Sequence, residues 1–390
     1  MTTGYAPAFS RNDTSPVAKW FWTVDRGLLG AALALMGLGV MLSFASSPAA
    51  INADESITDP FHYAWRMLVF SGGGLVVMLT ASLMSPRGVR RIAVLALVGA
   101  IGVMLLLPFI GNEVKGASRW VDLGPFSLQP SEFAKPGLIV FAAWMFAETQ
   151  KGKGVPGVSI AFLAYAITVG LLLIQPDIGQ TLLITTTFMA VFFMAGVPFK
   201  WMAVLMSLAL AGMTSLYFLF DHVRSRVAKF VSPGVEDTHQ IDRASEAIRA
   251  GGLVGRGVGE GVMKRHVPDL HTDFIYSVGA EEFGLVLSLI LIGLYAYIVL
   301  KGMRRAMRLT DPFEQTAAAG LFMLIGLQAA INVAVNLNLI PTKGMTLPFI
   351  SYGGSSMLAM ALTMGFALAL TRRRPGAYEP GGTLERRRII

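Results

Sequence analysis

The sequence predicts an all-α polytopic integral membrane protein, and three observations lead to that fold class. Hydrophobic residues make up 54% of the 390 residues, charged residues only 14%, and the mean hydropathy is +0.60, which lies outside the range of soluble domains. Apolar stretches long enough to cross a hydrocarbon core of about 30 Å recur along the chain. The net charge of +8 is clustered between these stretches, which indicates membrane topology and no nucleic-acid partner. The absence of cysteine excludes disulfides and cysteine nucleophiles.

Ten apolar stretches predict ten membrane-spanning helices. They lie near residues 28–46, 64–84, 90–110, 131–148, 157–175, 178–196, 199–220, 274–300, 315–339 and 351–371. The fourth has the shortest apolar part, because Ser131, Glu132 and Lys135 would lie in its first turns. The fifth and sixth are separated only by residues 175–177, where a proline interrupts one long apolar run.

The positions of Lys and Arg predict the orientation of these helices. With the N-terminus inside, the cytoplasmic segments hold the basic clusters at residues 11–26, 87–91, 151–153, 200, 301–308, 372–374 and 386–388. The first outer loop is acidic instead, with Asp54, Glu55 and Asp59. Because cytoplasmic loops retain positive charge during insertion, both termini are expected in the cytoplasm. The predicted organisation is an N-terminal tail (1–24), a membrane domain (25–372) with a long outer loop (221–272), and a C-terminal tail (373–390).

Basic residues on the outer side need a separate explanation. Lys115 and Arg119 follow the third span, and Lys343 follows the ninth. Such cations either solvate lipid headgroups or pair with the phosphates of a lipid-linked ligand. Glu132 and Lys135, three residues apart, either form a structural ion pair on one helix face or line a cavity.

The glycine-rich segment GGLVGRGVGEG (251–261) resembles a nucleotide-binding loop only superficially. A dinucleotide fingerprint requires a preceding strand and a following helix in a βαβ unit, and neither is predicted here. The glycines are better explained by an irregular backbone that approaches a membrane surface or a ligand. His266, Asp269, His271 and Asp273 have a spacing that fits no compact zinc motif.

Three carboxylates stand at the beginning of the eighth span, in HTDFIYSVGAEEFG. Asp273 lies at the outer lip, near a helix N-terminus, where it is either a cap or a functional group in reach of headgroup-level ligands. Glu281 and Glu282 lie about 12 to 14 Å further along the helix, so they must face protein or water. Asn332 and Asn336 share a face of the ninth span that could bind a carboxyl group from the eighth. We therefore interpret these four deeper residues as structural contacts between helices.

Three long blocks carry a resemblance to a known family. They are KGASRWVDLGPFSLQPSEFAKP (115–136), GGLVGRGVGEG with PDLHTDFIYSVGAEEFG (251–284), and PTKGMTLPFISYGGSS (341–356). Their residues, order and separation resemble those of the SEDS family of shape, elongation, division and sporulation proteins. The resemblance is stronger to the division branch than to the rod-elongation branch. The resemblance covers residues 20–371.

The resemblance implies a peptidoglycan glycosyltransferase that polymerises lipid II on the outer face of the cytoplasmic membrane. Its catalytic aspartate matches Asp273, which would act as general base for the acceptor hydroxyl, while Lys115, Arg119 and Lys343 would stabilise the departing diphosphate. The other matched residues expected at the substrate cavity are Gln129, Ser131, Glu132, Lys135, His271, Thr342 and Ser351. One direct displacement at an α-linked donor gives a β-linked product, so no second carboxylate is required.

The resemblance also implies partners and a location. The ligands would be lipid II and undecaprenyl diphosphate-linked glycan, and the protein partners a class B penicillin-binding protein of the division transpeptidase type and other division membrane proteins. The location would be the bacterial inner membrane at the division site. A labile Mg²⁺ or Mn²⁺ bridging the substrate diphosphate needs few protein ligands and is the one cofactor left open. Two alternatives stay open: a lipid II flippase, or a non-catalytic scaffold for the penicillin-binding protein.

Overall fold

The computed structural model describes residues 15–50, 59–114, 117–122, 126–152, 154–196, 239–261, 271–341 and 344–373, with a few single residues between them. Several sequence-based predictions concern residues outside these ranges. They include most of the seventh span (199–220), half of the long outer loop (221–272), both chain ends, and the site residues Lys115, Thr342 and Lys343.

The described residues form eleven helices and three short strands. The helices are α1 (Pro16–Thr23), α2 (Arg26–Ala50), α3 (His62–Ser82), α4 (Pro86–Ile110), α5 (Pro130–Gln150), α6 (Gly157–Ile174), α7 (Ile178–Met194), α8 (His239–Gly251), α9 (Ile275–Ala306), α10 (Pro312–Asn336) and α11 (Gly354–Leu370). The strands β1 (Asn112–Val114), β2 (Ala117–Asp122) and β3 (Ser127–Leu128) pair antiparallel in that order between α4 and α5.

The helices confirm the predicted fold class, a multi-pass all-α membrane protein. Six of them, α2, α3, α4, α6, α9 and α10, are long and apolar enough to cross a membrane, and α7 and α11 are shorter apolar helices. Their outward side chains are apolar, as shown by Val69, Leu95 and Phe109, which are exposed and suit a lipid environment. Nine of the ten predicted spans coincide with a helix, whereas the count of ten and the side of each terminus stay predictions.

The helix α5 lies in the interior of the bundle and packs on α4, α6, α7, α10 and α11. It is buried along most of its length. Gly137 brings it close to α4, since a side chain there would come within 2.9 Å of the Ala93 carbonyl. This interior position explains why Glu132 and Lys135 in its first turns are also buried.

One end of the bundle joins segments that the sequence places in the cytoplasm. Part of the predicted N-terminal tail forms α1, where Trp20 Nε1 donates to Ser82 Oγ of α3 at 2.8 Å. The buried Asp25 carboxylate pairs with Lys301 Nζ at 3.0 Å and with Arg305, both near the end of α9.

The ionisation of Asp25 depends on these contacts. Burial by itself raises the pKa of Asp25, but the hydrogen bond from Leu28 N–H and the cations Lys301 and Arg305 outweigh it, so the pKa lies below its ordinary value. The carboxylate is therefore held in its charged form at the junction of α2 and α9.

The predicted eighth span is interrupted, which the sequence reasoning missed. Gly284 has φ 72° and ψ −163°, a non-helical conformation inside α9 that favours glycine. The residues before it form a short half-helix that begins just after Asp273. The residues after it form the long half that ends near Asp25.

Candidate functional site

Asp273 lies at the start of α9 and its backbone is held by two side chains of α10. It precedes Phe274, the N-cap residue, which makes no side-chain cap hydrogen bond. The Asp273 carbonyl accepts hydrogen bonds from Asn332 Nδ2 and Asn336 Nδ2, each at 3.0 Å. Its carboxylate faces the segment after α10, since a side chain on Gly344 would approach Asp273 Oδ2 to 3.4 Å. A partly exposed carboxylate is thus attached to a fixed backbone.

From the sequence, the two asparagines could have bound a glutamate of the eighth span. In the structure their described contacts are with other groups. Asn332 Nδ2 also donates to the Met345 carbonyl at 2.7 Å. Asn336 Oδ1 accepts from Ser277 Oγ at 2.6 Å. These amides therefore join three elements at the site: the start of α9, the helix α10, and the segment that begins at Gly344.

Gln328 lies one turn before Asn332 on α10 and belongs to the same row of side-chain amides. Gln328 Nε2 donates to the Thr346 carbonyl at 3.0 Å, and Gln328 Oε1 accepts from Lys135 Nζ at 2.8 Å. The Lys135 ammonium also pairs with Glu132 at 2.8 Å, with both side chains buried. Gln180 Nε2 of α7 donates to the other Glu132 oxygen at 2.8 Å. The ion pair anticipated from the sequence is thus formed, and it sits inside a polar network.

Arg119 of β2 binds the backbone between α6 and α7. Its Nε donates to the Gln175 carbonyl at 2.9 Å and its Nη2 to the Pro176 carbonyl at 2.6 Å. Asp177 caps α7 by accepting from Gln180 N–H at 3.2 Å. Burial raises the pKa of Asp177, and the nearby Arg119 cation lowers it only in part. Arg119 therefore anchors the small sheet to the helix break.

The remaining predicted site residues surround this network. The Gln129 backbone N–H donates to Ser355 Oγ at 3.0 Å. Ser131 is buried in the first turn of α5. Ser351 Oγ accepts from Leu347 N–H at 2.7 Å and so closes a turn.

His271 belongs to an aromatic cluster near the start of α9. Its ring stacks on Tyr63 of α3, with centroids 4.3 Å apart, and its carbonyl accepts from Tyr352 N–H at 2.9 Å. The Arg66 guanidinium lies over the Tyr352 ring, 6.0 Å from its centroid. Sequence reasoning missed Tyr63, Arg66 and Tyr352. Tyr352 lies inside the third matched block, which was the one available signal.

Glu281 and Glu282 are both buried in the half-helix before Gly284. Arg256 Nη1 lies 4.0 Å from Glu281 Oε1, and the Gly259 N–H donates to Glu282 Oε1 at 3.2 Å. Both contacts come from the glycine-rich segment 251–261, which the sequence had placed in an outer loop. The glycine-rich segment thus contacts both glutamates.

The site brings several polar groups together. It combines a partly exposed carboxylate on a fixed backbone with a buried ion pair linked to it through one helix. In the part of the chain that the structure describes, no group of three or more His, Asp or Glu residues could hold a metal ion. Fold and site together define a multi-pass membrane protein with a carboxylate at the end of an intramembrane polar network.

Comparison with known proteins identifies the family. Residues 26–375 match the family model of FtsW, RodA and SpoVE, described as "Cell cycle protein". The chain therefore belongs to this family, as the sequence resemblance predicted.

Curated relatives and solved structures agree with that assignment. The chain is similar to the "Probable peptidoglycan glycosyltransferase FtsW" of Caulobacter vibrioides, with 64% identity over 98% of both chains. The Geobacter metallireducens protein of the same name is 34% identical, over 90% of this chain and 96% of that protein. A solved structure described as "Structural coordination of polymerization and crosslinking by a peptidoglycan synthase complex" matches with TM-score 0.74 and 28% identity, over 89% of this chain and 97% of that one. The Thermus thermophilus rod shape determining protein RodA matches with TM-score 0.64 and 28% identity, over 89% and 96%.

Proposed function

We propose that this chain is a peptidoglycan glycosyltransferase of cell division that polymerises lipid II, with Asp273 as the general base. The family and the names of the curated relatives support the enzyme class. The catalytic assignment depends on one observation: Asn332 and Asn336 both donate hydrogen bonds to the Asp273 carbonyl. By holding this backbone oxygen, the two side-chain amides help to orient the carboxylate of the same residue.

The chemistry follows from this placement. The acceptor C4 hydroxyl attacks C1 of the donor sugar, the bond from C1 to the diphosphate oxygen breaks, and undecaprenyl diphosphate leaves. The Asp273 carboxylate takes the hydroxyl proton as the new bond forms. A base must be in hydrogen-bond reach of that proton, so a carboxylate on a fixed backbone reduces the freedom lost on reaching the transition state.

Cations would stabilise the diphosphate as its charge develops. Lys115 and Lys343 keep this proposed role. For Arg119, its two hydrogen bonds to carbonyl groups favour a positioning role, in which it holds β2 against the break between α6 and α7. Mg²⁺ or Mn²⁺ also stays a proposal, as an ion at the substrate diphosphate that would need few protein ligands. Loss of turnover in EDTA, restored by Mg²⁺, is the test.

The proposed setting is the division site of the inner membrane. The match to a chain of a peptidoglycan synthase complex supports a partner that crosslinks the product. We propose a class B penicillin-binding protein in that role, together with other division membrane proteins. The protein would supply the glycan strand, and its partner the peptide crosslinks.

Polymerisation of lipid II by the purified protein with its transpeptidase partner tests the proposal. Asp273→Asn keeps the shape of the side chain and removes its basicity, so polymer should be absent while the partner stays bound. Asp122→Asn is the matched control, because Asp122 is an exposed carboxylate on β2 and its asparagine can still accept from Gly124 N–H. Polymerisation by Asp273→Asn at the normal rate would refute the assignment.

The deep polar network favours the flippase alternative, so the same proteins should be tested for lipid II transfer across liposome membranes. The enzyme proposal predicts that Asp273→Asn removes polymer without altering transfer. A flippase would require transfer by the wild type, with stronger dependence on the buried Glu132 and Lys135 than on Asp273.

A further inference from the structure

The glycine-rich segment 251–261 completes the backbone hydrogen bonds of the interrupted helix α9. In a continuous helix, Leu285 N–H and Val286 N–H would donate to the Glu281 and Glu282 carbonyls. Instead, Leu285 N–H donates to the Gly252 carbonyl at 3.0 Å and Val286 N–H to the Leu253 carbonyl at 3.3 Å. The segment thus supplies acceptors for the half of α9 that follows the break.

The same segment also supplies donors for the half that precedes the break. Arg256 N–H donates to the Glu281 carbonyl at 3.0 Å, and Gly257 N–H donates to the Glu282 carbonyl at 3.1 Å. Four backbone hydrogen bonds therefore replace the two that the helix loses. Unsatisfied backbone groups are costly inside a membrane, so the break and the segment depend on each other.

Glycine makes this close approach feasible at three positions. A side chain on Gly251 would come within 1.9 Å of the Ala280 carbonyl, and one on Gly255 within 2.1 Å of the Glu282 carbonyl. From the other side, a side chain on Gly284 would come within 2.4 Å of Gly255 N. Two backbones are in direct contact here.

The exposed side chains of the segment are three apolar ones and two charged ones, Arg256 and Glu260. Leu253, Val254 and Val258 are 70%, 79% and 66% exposed. The segment therefore lies along the break in α9 with both apolar and charged side chains exposed.

The half-helix between Asp273 and Gly284 is held at both of its ends. Residues 275–282 are all buried. At the first end, Asn332 and Asn336 bind the Asp273 carbonyl. At the second end, the glycine-rich segment binds the carbonyls of the last turn.

We propose that the docked segment 251–261 is the positioning element for Asp273, setting the place of the half-helix that carries this carboxylate. The inference rests on the proposed function, because it assigns the element to the base of that reaction. Displacing the segment changes where the half-helix ends, and a shift of about 1 Å at a reacting group can lower a rate by about a hundredfold.

Gly255→Ala is the variant that displaces the segment, and Gly252→Ala is its matched control. Both glycines have positive φ, 84° and 56°, so alanine is strained at both. Only at Gly255 does the added methyl group meet the α9 backbone, whereas nothing lies within 4 Å at Gly252. The difference between the two variants therefore reports the contact and not the backbone strain.

Two measurements on the full-length protein separate the inference from the proposed function. Hydrogen exchange at the Arg256, Gly257, Leu285 and Val286 amides reports docking without any substrate. Lipid II polymerisation with the transpeptidase partner reports catalysis. For Gly255→Ala we expect faster exchange at these amides and a kcat about 10- to 100-fold lower with KM little changed, while Gly252→Ala, which has the backbone strain without the contact, should change exchange and kcat much less.

Gly261→Ala is a milder variant, should Gly255→Ala fail to fold. A methyl group there would lie 3.0 Å from the Glu281 carboxyl group, so a small displacement and an intermediate loss of kcat are expected. Faster exchange at the four amides with unchanged kcat would overturn the inference, as would unchanged exchange in both variants. A wild-type protein that shows slow exchange but makes no polymer would instead refute the proposed function.

Discussion

Lys135→Met should destabilise the protein strongly, because Lys135 is paired with Glu132 deep inside the bundle. The two side chains are 0% and 2% exposed and the charged atoms are 2.8 Å apart. With an effective dielectric constant of about 20, Coulomb's law gives roughly 6 kcal/mol of attraction at this distance. Removing two charges from water costs several kcal/mol for each. The intact pair therefore contributes little net stability, whereas a lone buried carboxylate is costly.

The expected loss of stability depends on whether Glu132 keeps its charge without a partner or is neutralised as well. Removal of one partner of a buried pair typically costs about 3 to 5 kcal/mol, so Lys135→Met should lower the melting temperature by several degrees. The neutral double variant Glu132→Gln, Lys135→Met leaves no buried charge and should recover most of that loss. Lys151→Met is the control: Lys151, the residue after the end of α5, pairs with Glu148 at the same spacing but is 41% exposed, so its loss should cost about 0.2 to 1 kcal/mol.

Thermal unfolding of the purified proteins in one detergent measures these differences. Equal stability of the wild type and Lys135→Met, or a double variant no more stable than the single one, would refute the reasoning. We expect no polymerisation by the double variant, even where its stability is recovered. The Lys135 ammonium also donates to Gln328, which holds Thr346 in the segment facing Asp273, and methionine cannot replace that contact.

Three further predictions concern the contacts around the site. Asn336→Ala should lower kcat about tenfold in the polymerisation assay, since one of the two amides that bind the Asp273 carbonyl is lost at a cost of about 1 to 2 kcal/mol; an unchanged kcat would contradict the positioning role. Arg119→Lys should lower the free energy of unfolding by about 1 to 2 kcal/mol, because lysine cannot match the forked geometry that reaches two carbonyls; equal melting temperatures would contradict this. The hydrogen bonds and cations around Asp25 lower its pKa in spite of burial. The charged Asp25 therefore stabilises the folded protein fully above the ordinary pKa of 3.8, and this stabilisation is lost as the pH falls through the lower pKa of the folded state. The melting-temperature advantage of the wild type over Asp25→Asn should therefore shrink below pH 3.8, and an advantage that grows there would show the opposite shift.

Local features of the site could be predicted from the sequence. Glu132 and Lys135 are three residues apart on one helix, so their pairing depends on helix geometry alone. Asp177 follows the proline before a new apolar run, which is a typical N-cap position. Asp273 precedes a long apolar stretch, which placed it at a helix start. For Glu132 with Lys135 and for Asp177, the partners lie within one helical turn.

Contacts between distant segments could not be predicted in this way. The apolar pattern of α9 continues through Gly284, and the groups that make the break acceptable come from Gly252–Gly257, far earlier in the chain. Asn336 was expected to bind a glutamate because its position on a helix face shows what it could reach, not which of several acceptors is nearest. The contacts of Arg119 with the Gln175 and Pro176 carbonyls could not be predicted either, because a sequence does not show which carbonyls lie in reach of its guanidinium.

The turnover of Asp273→Asn in lipid II polymerisation tests the central claim most directly. Loss of a general base is expected to lower kcat by about 10² to 10⁴-fold, with hydrogen exchange in α9 unchanged and the partner still bound. Asp122→Asn, measured beside it, should polymerise at the wild-type rate. Polymer formation by folded Asp273→Asn at the rate of Asp122→Asn would contradict the account.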